Sequence, residues 1–129
     1  MPVISFDGAF AALVESGAIT QTIRKPRTCP VTTGDKLVFC TGFRTDAFKR
    51  LGRGFVTEVK AIDLKAFIKN NKPMPGTITM RLNGFKLAPA EAGELARLSG
   101  FGSLPELVDY IHNCYGLPFS GVLIRWNTL

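Results

Sequence analysis

Residues 16–27 read SGAITQTIRKPR and residues 31–44 read VTTGDKLVFCTGFR. Together they set hydroxyls and cations beside a strand that must be largely buried. Charge next to apolar packing is costly unless something compensates it, so this stretch is either an anion-binding wall or a solvated edge. In an extended chain, alternate residues share a face. Thr20, Thr22 and Arg24 then line one side of a strand, with Ile23 and Lys25 on the other. Two hydroxyls and a guanidinium fork are the groups that bind a phosphate or the edge of a base. Further along, Arg27, Arg44, Lys49, Arg50 and Arg53 could follow a phosphate backbone. Phe43, Phe48 and Phe55 are interleaved with these cations and could stack on bases. Each has a plainer reading. Phe43 and Phe55 read more readily as core, and Phe48, in a polar loop, is the better exposed ring. Arg24 could simply be an ion-pair partner of Asp35.

The charge supports an anionic partner. The chain has 129 residues and a net charge of +6. From Arg24 to Lys60 there are nine bases and three acids, so the whole excess lies in that stretch of sequence. A localised positive field points first to nucleic acid. The alternatives are a basic protein with no such role and a module whose basic segment meets an acidic protein. A membrane surface is disfavoured, because no basic amphipathic helix is legible.

Other chemistries find little support. Cys29, Cys40, Cys114 and His112 make no metal-ligand spacing. Cys40 lies in an apolar strand and reads as core. Cys29 sits among cations, surroundings that make a thiol reactive, but reactivity is not function. LGRG (51–54) lacks the lysine-hydroxyl ending of a nucleoside-triphosphate loop, and no cofactor is implied. No apolar run approaches a membrane span and no basic lead precedes an apolar stretch, so a reduced, cytoplasmic protein is expected.

The elements that must position these residues follow from periodicity. VISF (3–6) is a first strand. Asp7 caps a helix with Phe10, Leu13 and Val14 on one face. TQTIRK (20–25), KLVFCTGF (36–43), FVTEVKAIDL (55–64), TITMRLNGF (77–85) and FSGVLIRWN (119–127) read as strands. Residues 45–54 read as a helical turn or loop, and 65–76 as a linker or short helix closed by prolines. PAEAGELARLSG (89–100) is a helix with Pro89 in its first turn. Ser103 and Glu106 form a capping box for a second helix, LPELVDYIHNCYG (104–116), with Leu107, Ile111 and Cys114 at helical spacing. Trp126 reads as core, which turns Arg125 the other way. The pattern is α+β: about six strands in a small barrel or curled sheet, flanked by helices, in one domain over 1–129.

SG followed by TIR, a basic proline-containing stretch, GDKLVF, and the ending GFGSLPELVDYIHNCYG and VLIRWN resemble the ASCH family. The resemblance runs over nearly the whole chain and is weakest at 65–90, which looks like an insertion. It implies a PUA-like β-barrel and an RNA-binding cleft lined by a G-x-K-x-x-T-x-R motif. Some members hydrolyse the acetyl amide of N4-acetylcytidine, and nuclease activity has been proposed for others. The amidohydrolases use the motif's Lys, its Thr and a Glu before the late helix. Here Gly17, Thr22 and Arg24 match the motif, but Ile19 stands at the lysine and Ser99 at the acidic position. A threonine hydroxyl needs a base within reach, which Ile19 cannot supply. Lys25 lies on the opposite face; Glu58 or Glu94 could substitute as a carboxylate. The resemblance therefore implies a binder of RNA, single-stranded nucleic acid or a modified nucleoside. Thr22 is the one residue that could be catalytic, and the alternative is a hydrolase or ribonuclease using the same cleft.

Overall fold

The computed structural model describes residues 2–129. It is a mixed α+β structure with nine strands and three α-helices among the described residues. The strands are β1 (Val3–Phe6), β2 (Gln21–Arg24), β3 (Lys36–Thr41), β4 (Lys49–Lys65), β5 (Ile68–Lys69), β6 (Lys72–Pro73), β7 (Thr79–Leu82), β8 (Phe85–Lys86) and β9 (Phe119–Thr128). The helices are α1 (Ala11–Glu15), α2 (Pro89–Leu98) and α3 (Leu104–Cys114). Seven strands are hydrogen-bonded along β1-β3-β4-β7-β8, with β9 joined to both β2 and β4, while β5 and β6 pair separately. Nine strands replace the six expected: the stretch 65–76 supplies two, and the strand expected over 77–85 is broken by the Asn83-Gly84 turn into β7 and β8, while a further stretch read as irregular lengthens β4. Residues 49–54 belong to β4, and 65–76 contain the β5–β6 hairpin.

The residues group into two compact units: 2–22, 27–59 and 124–129 form the first, and 23–26 with 60–123 form the second. In the first, β1 runs parallel to β3, and β3 runs antiparallel to the first part of β4. The register pairs Phe39 with Gly52 and Cys40 with Arg50, so Leu51 is an extra residue in β4. A glycine inside a strand commonly marks such a bulge, and Gly52 at φ 148° adopts a conformation other residues rarely take. The core of this unit is aromatic. Trp126 packs against Phe39 with ring centroids 4.6 Å apart, and Phe6 meets both edge-on. The first helix is shorter than its periodicity predicts. Gly8–Phe10 forms a 3-10 turn, the Phe10 N–H donates to the Asp7 carbonyl (2.9 Å), and only Val14 of the expected face is fully buried.

The second unit packs α2 and α3 around Ile62, Leu64, Met80 and Leu123. Leu107 and Ile111 of α3 enter this core as their spacing predicts, whereas Cys114, at the end of the helix, is exposed. Ser103 Oγ accepts from the Glu106 N–H (3.4 Å), but the reciprocal arm lands one residue early: Glu106 Oε2 accepts from Gly102 (2.9 Å). Two tight hairpins project from this unit. Asn70 and Asn71 (φ 52° and 60°) turn β5 into β6, and Asn83 and Gly84 (φ 50° and 84°) turn β7 into β8. Successive positive φ is the signature of the type I′ turn that favours asparagine and glycine. The expected insertion, 65–90, lies wholly in this unit.

Candidate functional site

Strand β2 carries the motif, and its residues are more deeply set than alternation predicts. Gln21 and Thr22 are only 4% and 8% exposed, and Ile23 is buried too. Thr20, just before the strand, is exposed, and its carbonyl accepts from the Trp126 N–H (3.0 Å). The expected pair of matched hydroxyls is therefore split between a buried Thr22 and an exposed Thr20. A two-sided cover on β2 overrides the simple in-out alternation.

The polar centre of the first unit gathers around Arg125. Its Nε donates to Gln21 Oε1 (2.9 Å), and its Nη1 lies 3.6 Å from Glu58 Oε1. The Arg125 and Glu58 side chains are 35% and 36% exposed. Three strands contribute one group each: β2 the amide, β9 the guanidinium, β4 the carboxylate. Glu58 shares a pleat face with fully buried Val56, since alternate residues of a strand point the same way. Reading Phe55 as core turned Glu58 outward, which hid its place beside Arg125; the apolar Val56 two residues before it was the signal that could have shown it. Gln21, between Thr20 and Thr22, was missed because nothing in its spacing distinguishes it.

The other predicted residues divide between the units. Arg27, Arg44, Phe48, Lys49, Arg50 and Arg53 belong with Thr20 and Thr22 in the first, and Arg24 and Lys25 in the second. Arg27 Nη1 donates to the Val3 carbonyl (3.1 Å), and Lys49 Nζ lies 3.8 Å from Glu15 Oε2. The Arg44 guanidinium sits over the Phe43 ring at 5.1 Å. Lys25 sits over the Tyr115 ring at 5.4 Å. Phe43 and Phe55 are not core as expected; each is 40% exposed, and Phe48 is exposed as well. Phe55 lies opposite Lys36 on the outer face of the β3–β4 pair, away from the aromatic core. The charge excess is also redistributed. The first unit has seven bases against five acids and the second nine against five, so a net +4 of the +6 falls in the second. The pattern differs from that along the sequence because Arg24, Lys25 and Lys60 fall in the second unit, while Asp7 and Glu15 join the first.

Ile19 and Ser99, and several titratable residues singled out in the sequence, have structural duties. Ile19 is a buried core residue. Ser99 Oγ donates to the Leu95 carbonyl (2.8 Å) at the end of α2. Glu94 pairs with Arg97 on an exposed helix face. His112 Nε2 lies 3.2 Å from the Asn71 carbonyl, tying α3 to the β5–β6 turn. Asp35 Oδ2 accepts from the Thr32 N–H (2.9 Å), which gives that carboxylate a turn-closing role. Cys40 is fully buried and Cys29 exposed.

Among the described residues, no three His, Cys, Asp or Glu side chains are placed to hold a metal ion. No helix of the described residues is long and apolar enough to cross a membrane. Comparison with family models, with curated proteins and with solved structures finds no match to this chain.

Proposed function

We propose that the chain is an ASCH-like domain with a PUA-like barrel, and that its first unit binds RNA or a modified nucleoside without hydrolysing it. The Gln21–Arg125–Glu58 cluster carries this reading. An ion pair more than a third exposed adds about 0–1 kcal/mol to stability, which is little reason to set three polar side chains on neighbouring strands. As a recognition surface the set makes sense. A carboxylate accepts from exocyclic amines and ring N–H groups, and a guanidinium donates to base or phosphate oxygens. Exposed Arg50 and Arg53 supply phosphate contacts, and Phe43, Phe48 and Phe55 supply rings for stacking. Binding without turnover fits Ile19 and Ser99, which leave the family's lysine and acidic positions without an ionisable group.

The test is binding of the full chain to RNA and to cytidine or N4-acetylcytidine at low salt. Arg50→Ala with Arg53→Ala should weaken RNA binding, and Glu58→Gln should weaken nucleoside binding. Affinity that is unmeasurable at low salt, or indifferent to these changes, overturns the proposal. Turnover of N4-acetylcytidine that Thr22→Ala abolishes would instead establish the hydrolase, with Glu58 as its carboxylate.

A further inference from the structure

Strands β4 and β7 turn Leu64 and Met80 into the core of the second unit. Alternate residues of a strand point to opposite faces, so Asp63, Lys65, Thr79 and Arg81 lie on the outer face. Arg81 sits opposite Asp63 on one side and opposite Lys86 of β8 on the other, and Lys65 sits opposite Thr79. Residues paired across a sheet share a face, which adds Lys86 to the set. Strand β9 also pairs with β4, and the Ser120 hydroxyl donates to Asp63 Oδ1 (2.6 Å), holding the carboxylate toward β9. Among the described residues Lys65, Arg81 and Lys86 form no ion pair, although Arg81 and Asp63 are direct neighbours in the register. Like charges placed directly opposite each other destabilise a sheet, so Arg81 beside Lys86 is a local cost that a bound anion would remove. The same face holds a recess of about 210 Å³, with Asp63, Lys65, Thr79, Arg81, Phe119 and Ser120 in its lining.

We infer that this recess binds a phosphomonoester, with its phosphoryl oxygens on Lys65, Arg81 and the Thr79 hydroxyl and with Lys86 adding to the field. A guanidinium fork and an ammonium are both established phosphate ligands. The charge selects the monoester. Three cations against one carboxylate leave the face a net +2. A phosphomonoester carries about −1.5 to −2 on one group at pH 7, whereas each internal phosphate of a strand carries a single charge. The volume is below the roughly 300–1,000 Å³ of sites for drug-sized ligands, which suits a phosphoryl group and the first carbons of its ester. Such an ester is presented both by a small sugar phosphate and by the phosphorylated end of a nucleic-acid strand. The site does not rest on the reading of the first unit, and either can fail while the other stands.

Ribose 5-phosphate titrated into the isotope-labelled full chain, followed by amide resonance shifts, tests the site. The amides of residues 63–65 and 79–81 should move with ribose 5-phosphate and stay in place with ribose. Lys65→Gln with Arg81→Gln should weaken binding about tenfold or more. Asp63→Asn keeps an acceptor for Ser120 but removes the one opposing charge. It should tighten binding about threefold, a gain that damage to the fold does not produce. Asp63, Lys65 and Arg81 are exposed, so the melting midpoint of each variant should stay near that of the parent. A 12-nucleotide oligouridine separates the two sources. A 5′-phosphorylated strand that binds these residues more tightly than ribose 5-phosphate assigns the strand end, and the reverse order assigns a small sugar phosphate. If neither phosphorylated ligand moves these amides, the inference is overturned. So it is if a 5′-hydroxyl strand binds here as tightly as the phosphorylated one, or if Asp63→Asn brings no gain.

Discussion

Gly54 leaves no room for a side chain. A Cβ there would lie 2.7 Å from Phe39 Cζ and 3.0 Å from Trp126 Cδ1, between the two largest rings of the first unit's core. Gly54→Ala should therefore destabilise the protein by about 1–3 kcal/mol through overpacking, read as a lower denaturation midpoint; an unchanged midpoint would show that the rings can shift. Arg125→Met should act differently. It removes the charged donor at buried Gln21 and the cation beside Glu58, a loss of about 1.5–3 kcal/mol if the hydrogen bond counts in full, less as solvent screens it. A double-mutant cycle with Glu58→Gln measures the coupling. Trp126 was legible because the end of its strand alternates, with Ile124 and Trp126 buried on either side of half-exposed Arg125. Gly54 was not, since LGRG looks like a turn until the register of β3 shows which rings cross it.

Strand β4 shows where element prediction lost its footing. Two glycines and three cations in residues 49–54 resemble a loop, yet the stretch continues as strand through a bulge at Leu51. Glycine relaxes the backbone without deciding between turn and bulge; the partner strand decides. The prolines and asparagines of 65–76 misled in the same way. Two-residue strands are too short to show a period, and only the paired positive φ values at Asn70 and Asn71 reveal the hairpin. Longer elements, β1, β3, α2, α3 and β9, were legible because each carries enough apolar repeats and a cap or turn at its end. Asn83→Ala should cost about 1–3 kcal/mol, since alanine tolerates the left-handed turn poorly and cannot accept from Ala61. His112→Ala should leave the melting midpoint nearly unchanged but speed amide exchange in the β5–β6 hairpin, whose turn it holds. Equal exchange in both proteins would assign that contact no role.

At the scale of the whole chain, charge and chain path set the expectations. Affinity for a single strand should fall with salt along a log-log slope of about −0.7 per phosphate contacted. Contact with about four phosphates gives a slope near −3. A flat salt dependence would remove the electrostatic basis of the proposed nucleic-acid binding. That basis was only half legible. Summing charge along the sequence found the net +6 but assigned all of it to residues 24–60, because sequence proximity hid that folding sends Arg24, Lys25 and Lys60 to the second unit and brings Asp7 and Glu15 into the first.

The interleaving of the units also dictates an order in time. Every residue of the second unit has been synthesised once Leu123 is added, whereas the first still lacks residues 124–129. Those last residues bring Trp126, whose indole packs on Phe39, and Leu129, whose N–H donates to the Arg53 carbonyl (2.9 Å). On the ribosome the half that begins the chain is thus the half that must wait, holding Phe6 and Phe39 without their partner until the final strand emerges.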